Sequence, residues 1–86
     1  MGELSGQVEL FGTTTCPYTR EVRERLEWDG VTFIEHDVDT DAEARARMLA
    51  LTGGRRMVPV IVEDGKVHEV GWRGRGCMID PEGPGA

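Results

Sequence analysis

The sequence predicts an α/β fold in which helices pack against one four-stranded mixed sheet. Strand-like and helix-like segments alternate along the chain in the order β-α-β-α-β-β. Strands joined by a helical crossover are expected to be parallel, whereas Asp64-Gly65 between the last two strands is a strong signal for an antiparallel hairpin. The 86 residues suffice for one domain, which we expect at 1–78, followed by a flexible tail rich in Gly and Pro at 79–86.

The first two predicted elements are a strand at residues 8–11 and a helix at residues 17–28. The strand segment is mostly apolar, and a loop of small residues follows it. Tyr18, Val22 and Leu26 recur every four residues and form one apolar stripe along the helix. Asp29-Gly30 supplies the residues that commonly end a helix.

A second strand is predicted at residues 31–38, followed by a second helix that extends to about Leu51. Thr40 and Glu43 have the spacing of a capping box, which predicts Thr40 as the N-cap. We expect three residues of this helix to face the core: Ala46, Leu49 and Ala50. The apolar run at 58–62 predicts a third strand, and 67–70 completes the hairpin.

Cys16 lies between a predicted strand and a predicted helix, directly before Pro17. Pro17 suits the first helical position, because its missing N–H would have no partner there. A thiol at the start of a helix faces unpaired backbone N–H groups and the positive end of the helix dipole. Both favour the thiolate, which is the nucleophilic form. The placement predicts thiol–disulfide chemistry or a closely related thiol reaction, rather than a structural cysteine.

The composition argues against several functions. The chain has 10 Lys+Arg against 16 Asp+Glu, a net charge of −6, so no electrostatic attraction to nucleic acid or anionic membranes is expected. It has no apolar run of roughly 18 residues and too few cysteines, two, for a secreted disulfide scaffold. We therefore expect a soluble, cytoplasmic monomer. The cysteines with His36 and His68 match no zinc spacing, and no metal is expected.

Three motifs together resemble a known family over roughly residues 8–77. They are Cys16-Pro17-Tyr18-Thr19, Arg56-Met57-Val58-Pro59 and Gly74-Arg75-Gly76-Cys77. They are similar to the Cys-Pro-Tyr-Cys site, the Thr-Val-Pro segment with its cis proline and the Gly-Gly-Cys turn of glutaredoxins. The resemblance implies a thioredoxin-like (glutaredoxin) fold that lacks the usual C-terminal helix. One face of the sheet would then be exposed or would pack on a partner.

The context Thr13-Thr14-Thr15-Cys16-Pro17-Tyr18-Thr19 is most similar to the glutaredoxin-like UXX-star group, which often carries selenocysteine at the position of Cys16. The sequence also departs from typical glutaredoxins. Thr13 replaces the lysine that usually lies three residues before the active cysteine, and Met78 replaces the acidic residue after the Gly-Gly-Cys turn. The first change weakens the expected hold on a glutathione carboxylate.

The resemblance assigns roles to particular residues. It implies substrate-binding roles for seven of them: Pro17, Tyr18, Arg56, Val58, Pro59, Gly74 and Gly76. Val58 would offer its backbone N–H and C=O to a peptide-like substrate, and Arg56 would pair with a glutathione carboxylate. Thr19 cannot form a disulfide, but its hydroxyl either stabilises the Cys16 thiolate or is an ordinary helix-surface group. Cys77 either resolves a mixed disulfide on Cys16 or packs as a small hydrophobe.

The function expected from these residues is that of a monothiol thiol–disulfide oxidoreductase. Cys16 attacks a glutathione mixed disulfide and is released by a second glutathione or by Cys77. The expected co-substrate is glutathione or an equivalent small thiol. The expected partners are glutathionylated or disulfide-containing proteins. No tightly bound cofactor is expected.

Two alternatives remain open. One is an enzyme whose Cys16, or selenocysteine, reacts with peroxide and is resolved by Cys77. The other is a non-enzymatic iron–sulfur carrier, although Pro17-Tyr18 departs from the Cys-Gly-Phe-Ser motif of such carriers.

Overall fold

A computed structural model describes residues 6–80 and confirms the α/β fold. Two helices and six strands follow one another along the chain: β1 (Val8–Gly12), α1 (Pro17–Trp28), β2 (Phe33–Asp37), α2 (Ala42–Thr52), β3 (Met57–Val58), β4 (Val60–Glu63), β5 (Lys66–Val70) and β6 (Cys77–Met78).

The main sheet has four strands in the order β2-β1-β4-β5. The crossover through α1 makes β1 and β2 parallel, as predicted. β4 is antiparallel to both β1 and β5, and the turn at Asp64-Gly65 joins the predicted hairpin. The prediction of one mixed sheet is therefore confirmed.

The predicted third strand at 58–62 is interrupted at Pro59, which follows a cis Val58–Pro59 bond. Proline has no N–H to donate to a ladder, so a continuous strand through this position is disfavoured. β4 continues in the main sheet, whereas β3 pairs with β6 in a separate antiparallel ladder. Sequence analysis did not predict β6.

Helix α1 packs on one face of the main sheet. Its residues Val22 and Leu26 are fully buried, as the four-residue stripe predicts. They pack in one cluster with the sheet residues Val8, Leu10 and Ile61. Trp72, which is also buried, completes the cluster. These sheet residues are at most 1% exposed. The expectation of an exposed sheet face at this cluster is wrong, because α1 and Trp72 cover it.

Helix α2 covers the other face, but its phase differs from the prediction. The N-cap is Asp41, not Thr40, because the Asp41 carboxylate accepts a 3.0 Å hydrogen bond from the Ala44 N–H. The stripe that faces the core is Ala44 and Met48, with Leu49 partly buried, because these residues pack on the sheet. Two of the predicted core residues, Ala46 and Ala50, are exposed instead.

Glu9 is a charged residue buried in the central strand β1, 8% exposed. The Arg47 guanidinium donates to both of its carboxylate oxygens, and His36 Nε2 lies 3.0 Å from Oε1. These contacts, Arg47 first, hold the pKa of Glu9 below its usual range despite the opposing effect of burial. The charge is therefore accommodated beneath α2 by a paired cation.

The C-terminal part of the described chain is more ordered than predicted. Ile79, the first residue of the predicted tail, is 7% exposed and packs in the core beside α2. Its N–H donates a 2.7 Å hydrogen bond to the Arg56 carbonyl. Residues 81–86, the remainder of that tail, lie outside the described residues. Neither α1 nor α2 has the length and apolar character that crossing a membrane requires.

Candidate active site

Cys16 is the N-cap of α1, as the sequence predicts. Its backbone is extended (φ −80°, ψ 118°), and Pro17 occupies the first helical position. The Cys16 carbonyl accepts a 3.2 Å hydrogen bond from the Arg20 N–H, which begins the helical pattern. The sulfur is therefore attached to the residue from which the helix dipole starts, where a thiolate is stabilised.

Cys77 lies directly against Cys16, with the two sulfurs at disulfide distance. The Cα atoms are 6.0 Å apart across a sequence separation of 61 residues. This spacing falls within the usual disulfide range of about 4.4–6.8 Å. β6 produces the juxtaposition, because the β3–β6 ladder places Cys77 opposite Val58. Of the two roles considered for Cys77, the geometry therefore permits the resolving one.

A tight turn before β6 aims Cys77 at the site. Trp72 and Arg75 close it with reciprocal backbone hydrogen bonds of 2.7 and 2.9 Å. Its central residues, Arg73 and Gly74, have positive φ values of 53° and 78°. Gly76 packs so closely that an added Cβ would lie 2.5 Å from the Val58 carbonyl oxygen. The Gly-rich segment is thus required for β6 to reach β3.

The surroundings of Cys16 are more apolar than its loop position suggests. Cys16 is 2% exposed and belongs to a core cluster that includes Phe11, Val58 and Val60. Its sulfur lies 4.0 Å from the Val58 carbonyl oxygen. Cys77 is only partly buried. These exposures describe the disulfide-bonded form, in which each sulfur shields the other from solvent.

Thr19 lies one turn into α1 and is fully buried, so it is not a helix-surface threonine. Its hydroxyl accepts a 3.5 Å contact from the Thr13 N–H rather than contacting the Cys16 sulfur. Its methyl group packs on Gly12, where an added Cβ would lie 2.2 Å away. Thr19 therefore ties the loop before Cys16 to the helix after it.

Other predicted binding residues lie around the cysteine pair. Val58 and Pro59 are buried, Tyr18 is partly buried between the two core clusters, and Arg56 is exposed. Segment 76–78 of this same chain covers Val58, since Cys77 pairs with it and Gly76 packs on its carbonyl oxygen. The Val58 backbone therefore faces this segment, and its role in binding a peptide-like substrate stays a prediction.

The element that sequence analysis missed is the ladder that carries Cys77. The sequence carries little signal for it, because the ladder joins segments about 20 residues apart and the turn before β6 lacks the Asn-Gly or Asp-Gly pair typical of tight hairpins. Gly74 is the one turn-favouring residue at the centre of that turn, which the bridge between Trp72 and Arg75 closes. The flanking residues lack strand-like alternation, which is why the pattern did not predict a strand.

The fold and the paired cysteines define a thioredoxin-fold thiol protein, and comparisons with known proteins specify the family. The glutaredoxin family model matches residues 8–68. A probable glutaredoxin from Synechocystis is 41% identical over 58 residues, covering 67% of this chain and 53% of that relative. A second probable glutaredoxin from Synechocystis is 36% identical over 61 residues, covering 71% of this chain and 69% of that relative. This chain belongs to the glutaredoxin family. It spans about half the length of the first of these relatives.

Solved structures agree with this assignment. The thioredoxin-like protein BC3987, in a variant form, superposes with a TM-score of 0.69 at 32% identity, over 80% of this chain and 86% of that one. A glutaredoxin from Archaeoglobus fulgidus gives 0.67 at 26% identity, over 79% and 77%. A buckwheat glutaredoxin–glutathione complex gives 0.64 at 25% identity, over 79% and 63%. The thioredoxin-like glutaredoxin fold is thereby established.

Proposed function

We propose that this protein is a thiol–disulfide oxidoreductase in which Cys16 attacks glutathione mixed disulfides and Cys77 resolves the product. The observation that carries the proposal is that Cys16 and Cys77 lie at disulfide distance, with Cα atoms 6.0 Å apart, at the N-terminus of α1. One of the two sulfurs is in the helix position that favours a thiolate, and the other is within bonding distance of it.

The first step transfers glutathione to the enzyme. The Cys16 thiolate attacks the glutathione sulfur of a protein–glutathione disulfide, and the protein thiolate leaves and takes a proton from solvent. The S–S bond of the substrate is broken and a Cys16–glutathione bond replaces it. The protein thiol is reduced, and Cys16 carries the oxidising equivalent.

Two routes then release glutathione. In the resolving route, the Cys77 thiolate attacks the Cys16 sulfur, glutathione leaves as its thiolate, and the Cys16–Cys77 disulfide forms. Two further glutathione molecules return it to the dithiol and become glutathione disulfide. In the monothiol route, a second glutathione attacks the Cys16 adduct directly, and Cys77 takes no part. The proximity of the two sulfurs supports the resolving route, and the monothiol route remains available when Cys77 is absent.

Arg56 supports glutathione as the co-substrate, because it is exposed at the start of β3 and can donate to a carboxylate. The buckwheat relative's complex with glutathione supports the same assignment. We further propose that the chain works as a cytoplasmic monomer without a tightly bound cofactor. Cys16 takes the position of selenocysteine in the UXX-star group, and selenocysteine would perform the same attack.

The test measures turnover of a peptide–glutathione mixed disulfide. The glutathione disulfide formed is reduced by glutathione reductase, and the consumption of NADPH gives the rate. We expect saturable turnover by the wild type, and retained turnover by Cys77→Ser through the monothiol route. The same enzyme is given hydrogen peroxide in place of the mixed disulfide. Faster reduction of peroxide than of the mixed disulfide would contradict the proposal and favour the peroxide-reactive alternative.

A further inference from the structure

A pocket lies between the first turns of α1, which follow Cys16, and the turn that precedes β6, which carries Cys77. Its volume is about 350 Å³, and five residues line it: Tyr18, Glu21, Trp72, Arg73 and Arg75. Of the residues with an implied substrate-binding role it contains Tyr18, and it shares none with segment 56–59, to which we assign glutathione. None of the catalytic steps above uses it.

Both walls of this pocket are joined directly to the reacting residues. Tyr18 follows Cys16 by two positions, and Arg75 precedes Cys77 by two positions. The pocket therefore lies between the two segments that carry the reacting cysteines. This location suits recognition of a substrate group close to the disulfide bond that reacts.

The pocket is locally cationic in an acidic chain. The net charge is −6, yet two arginines and one glutamate line the pocket. Within residues 6–80, no carboxylate forms an ion pair with Arg73 or Arg75. Guanidinium groups that lack a carboxylate partner are well suited to bind one from another molecule.

Arg73 is held in place by its backbone and by an aromatic ring. Its φ of 53° lies in the left-handed region, where residues other than Gly, Asn and Asp are uncommon. Its guanidinium lies over the Trp72 ring, 5.3 Å from the centroid, and Trp72 is 9% exposed. The turn thus presents a pre-positioned cation on a rigid ring.

We propose that this pocket binds an acidic side chain next to the reacting cysteine of a polypeptide disulfide substrate, an inference that rests on the proposed function. A mixed disulfide has two halves, and segment 56–59 takes the glutathione half. The polypeptide half then extends away from segment 56–59, towards the pocket lined by Arg73 and Arg75. Arg75 and Arg73 bind the carboxylate, and the Tyr18 and Trp72 rings contact the adjoining chain.

The test compares two peptide–glutathione mixed disulfides that differ only in Asp or Asn beside the cysteine. For the wild type we expect kcat/KM to be roughly threefold to tenfold higher for the Asp peptide, the range of a partly exposed charged hydrogen bond. Arg75→Gln and Arg73→Gln should bring this ratio towards one. The matched control is Arg25→Gln, because Arg25 pairs with Asp29 at the far end of α1; it should keep the wild-type ratio.

Three outcomes would overturn the inference. An equal kcat/KM for both peptides in the wild type would show that the pocket reads no carboxylate. An unchanged preference in both arginine variants would place the recognition elsewhere. A raised KM for glutathione in these variants, with the Asp/Asn ratio unchanged, would assign the pocket to glutathione itself. In each case turnover of the Asn peptide by the wild type leaves the proposed function intact, whereas absence of that turnover contradicts the proposed function.

Discussion

Replacing Cys16 by serine is expected to lower turnover of glutathione mixed disulfides by at least about a thousandfold, because a serine hydroxyl is not ionised at neutral pH and does not exchange with sulfur. Cys16 is the N-cap of α1, and Cys77 is on a two-residue strand without that helix terminus. Cys77 therefore lacks the environment that favours a thiolate. The measurement is initial rate in the glutathione reductase-coupled assay.

The control for this prediction is Cys77→Ser, because both variants lose the Cys16–Cys77 disulfide and whatever stability it gives. Circular dichroism and thermal unfolding of the two variants establish that both are folded to the same extent. Retained activity in Cys16→Ser with loss of activity in Cys77→Ser would reverse the two roles and contradict the assignment of the nucleophile.

Gly76→Ala is expected to destabilise the protein by roughly 2–3 kcal/mol, as overpacked sites do, which lowers Tm by about 10–20 °C for a chain of this size. An added Cβ at position 76 would lie 2.5 Å from the Val58 carbonyl oxygen and 2.5 Å from Met57 Cγ. The first of these atoms is backbone, so relief requires β3 and β6 to separate. We therefore expect slower formation of the Cys16–Cys77 disulfide, measured by thiol titration during oxidation.

The matched control is Gly74→Ala in the same turn. Gly74 has a φ of 78°, but nothing lies within 4 Å of its added Cβ, so only backbone strain of about 1 kcal/mol is expected. Disulfide formation should proceed at the wild-type rate in this variant. If Gly74→Ala slows the oxidation as much as Gly76→Ala does, close packing of β6 on β3 is not what brings Cys77 to Cys16.

Local patterns in the sequence were sufficient to predict much of the fold. Pro17 after Cys16 predicts the start of α1, and Asp64-Gly65 predicts the hairpin; both depend on residues adjacent in the chain. The Cys16 site is predictable for the same reason, since its helix position follows from the residues on either side. The crossover rule then gives the parallel pairing of β1 and β2.

The features that sequence analysis missed depend on contacts between distant segments or on small differences between neighbours. β6 has only two residues, and both pair with β3, a segment about 20 residues earlier in the chain. Thr40 and Asp41 are both good N-cap residues, so the local pattern does not decide between them. Which face of α2 is buried depends on how the helix packs on the sheet. The cover that Trp72 gives to the sheet arises from the turn after β5, not from a periodic pattern.

The central claim is that Cys16 and Cys77 act as a pair, and intact mass spectrometry tests it most directly. The reduced wild type and Cys77→Ser are each incubated briefly with equimolar glutathione disulfide, acid-quenched and weighed. We predict that the wild type loses two hydrogens, and that Cys77→Ser carries one glutathione, which trypsin locates on the peptide that ends at Arg20. A single glutathione adduct on Cys16 in both proteins would contradict the pairing and leave Cys77 as a packing residue.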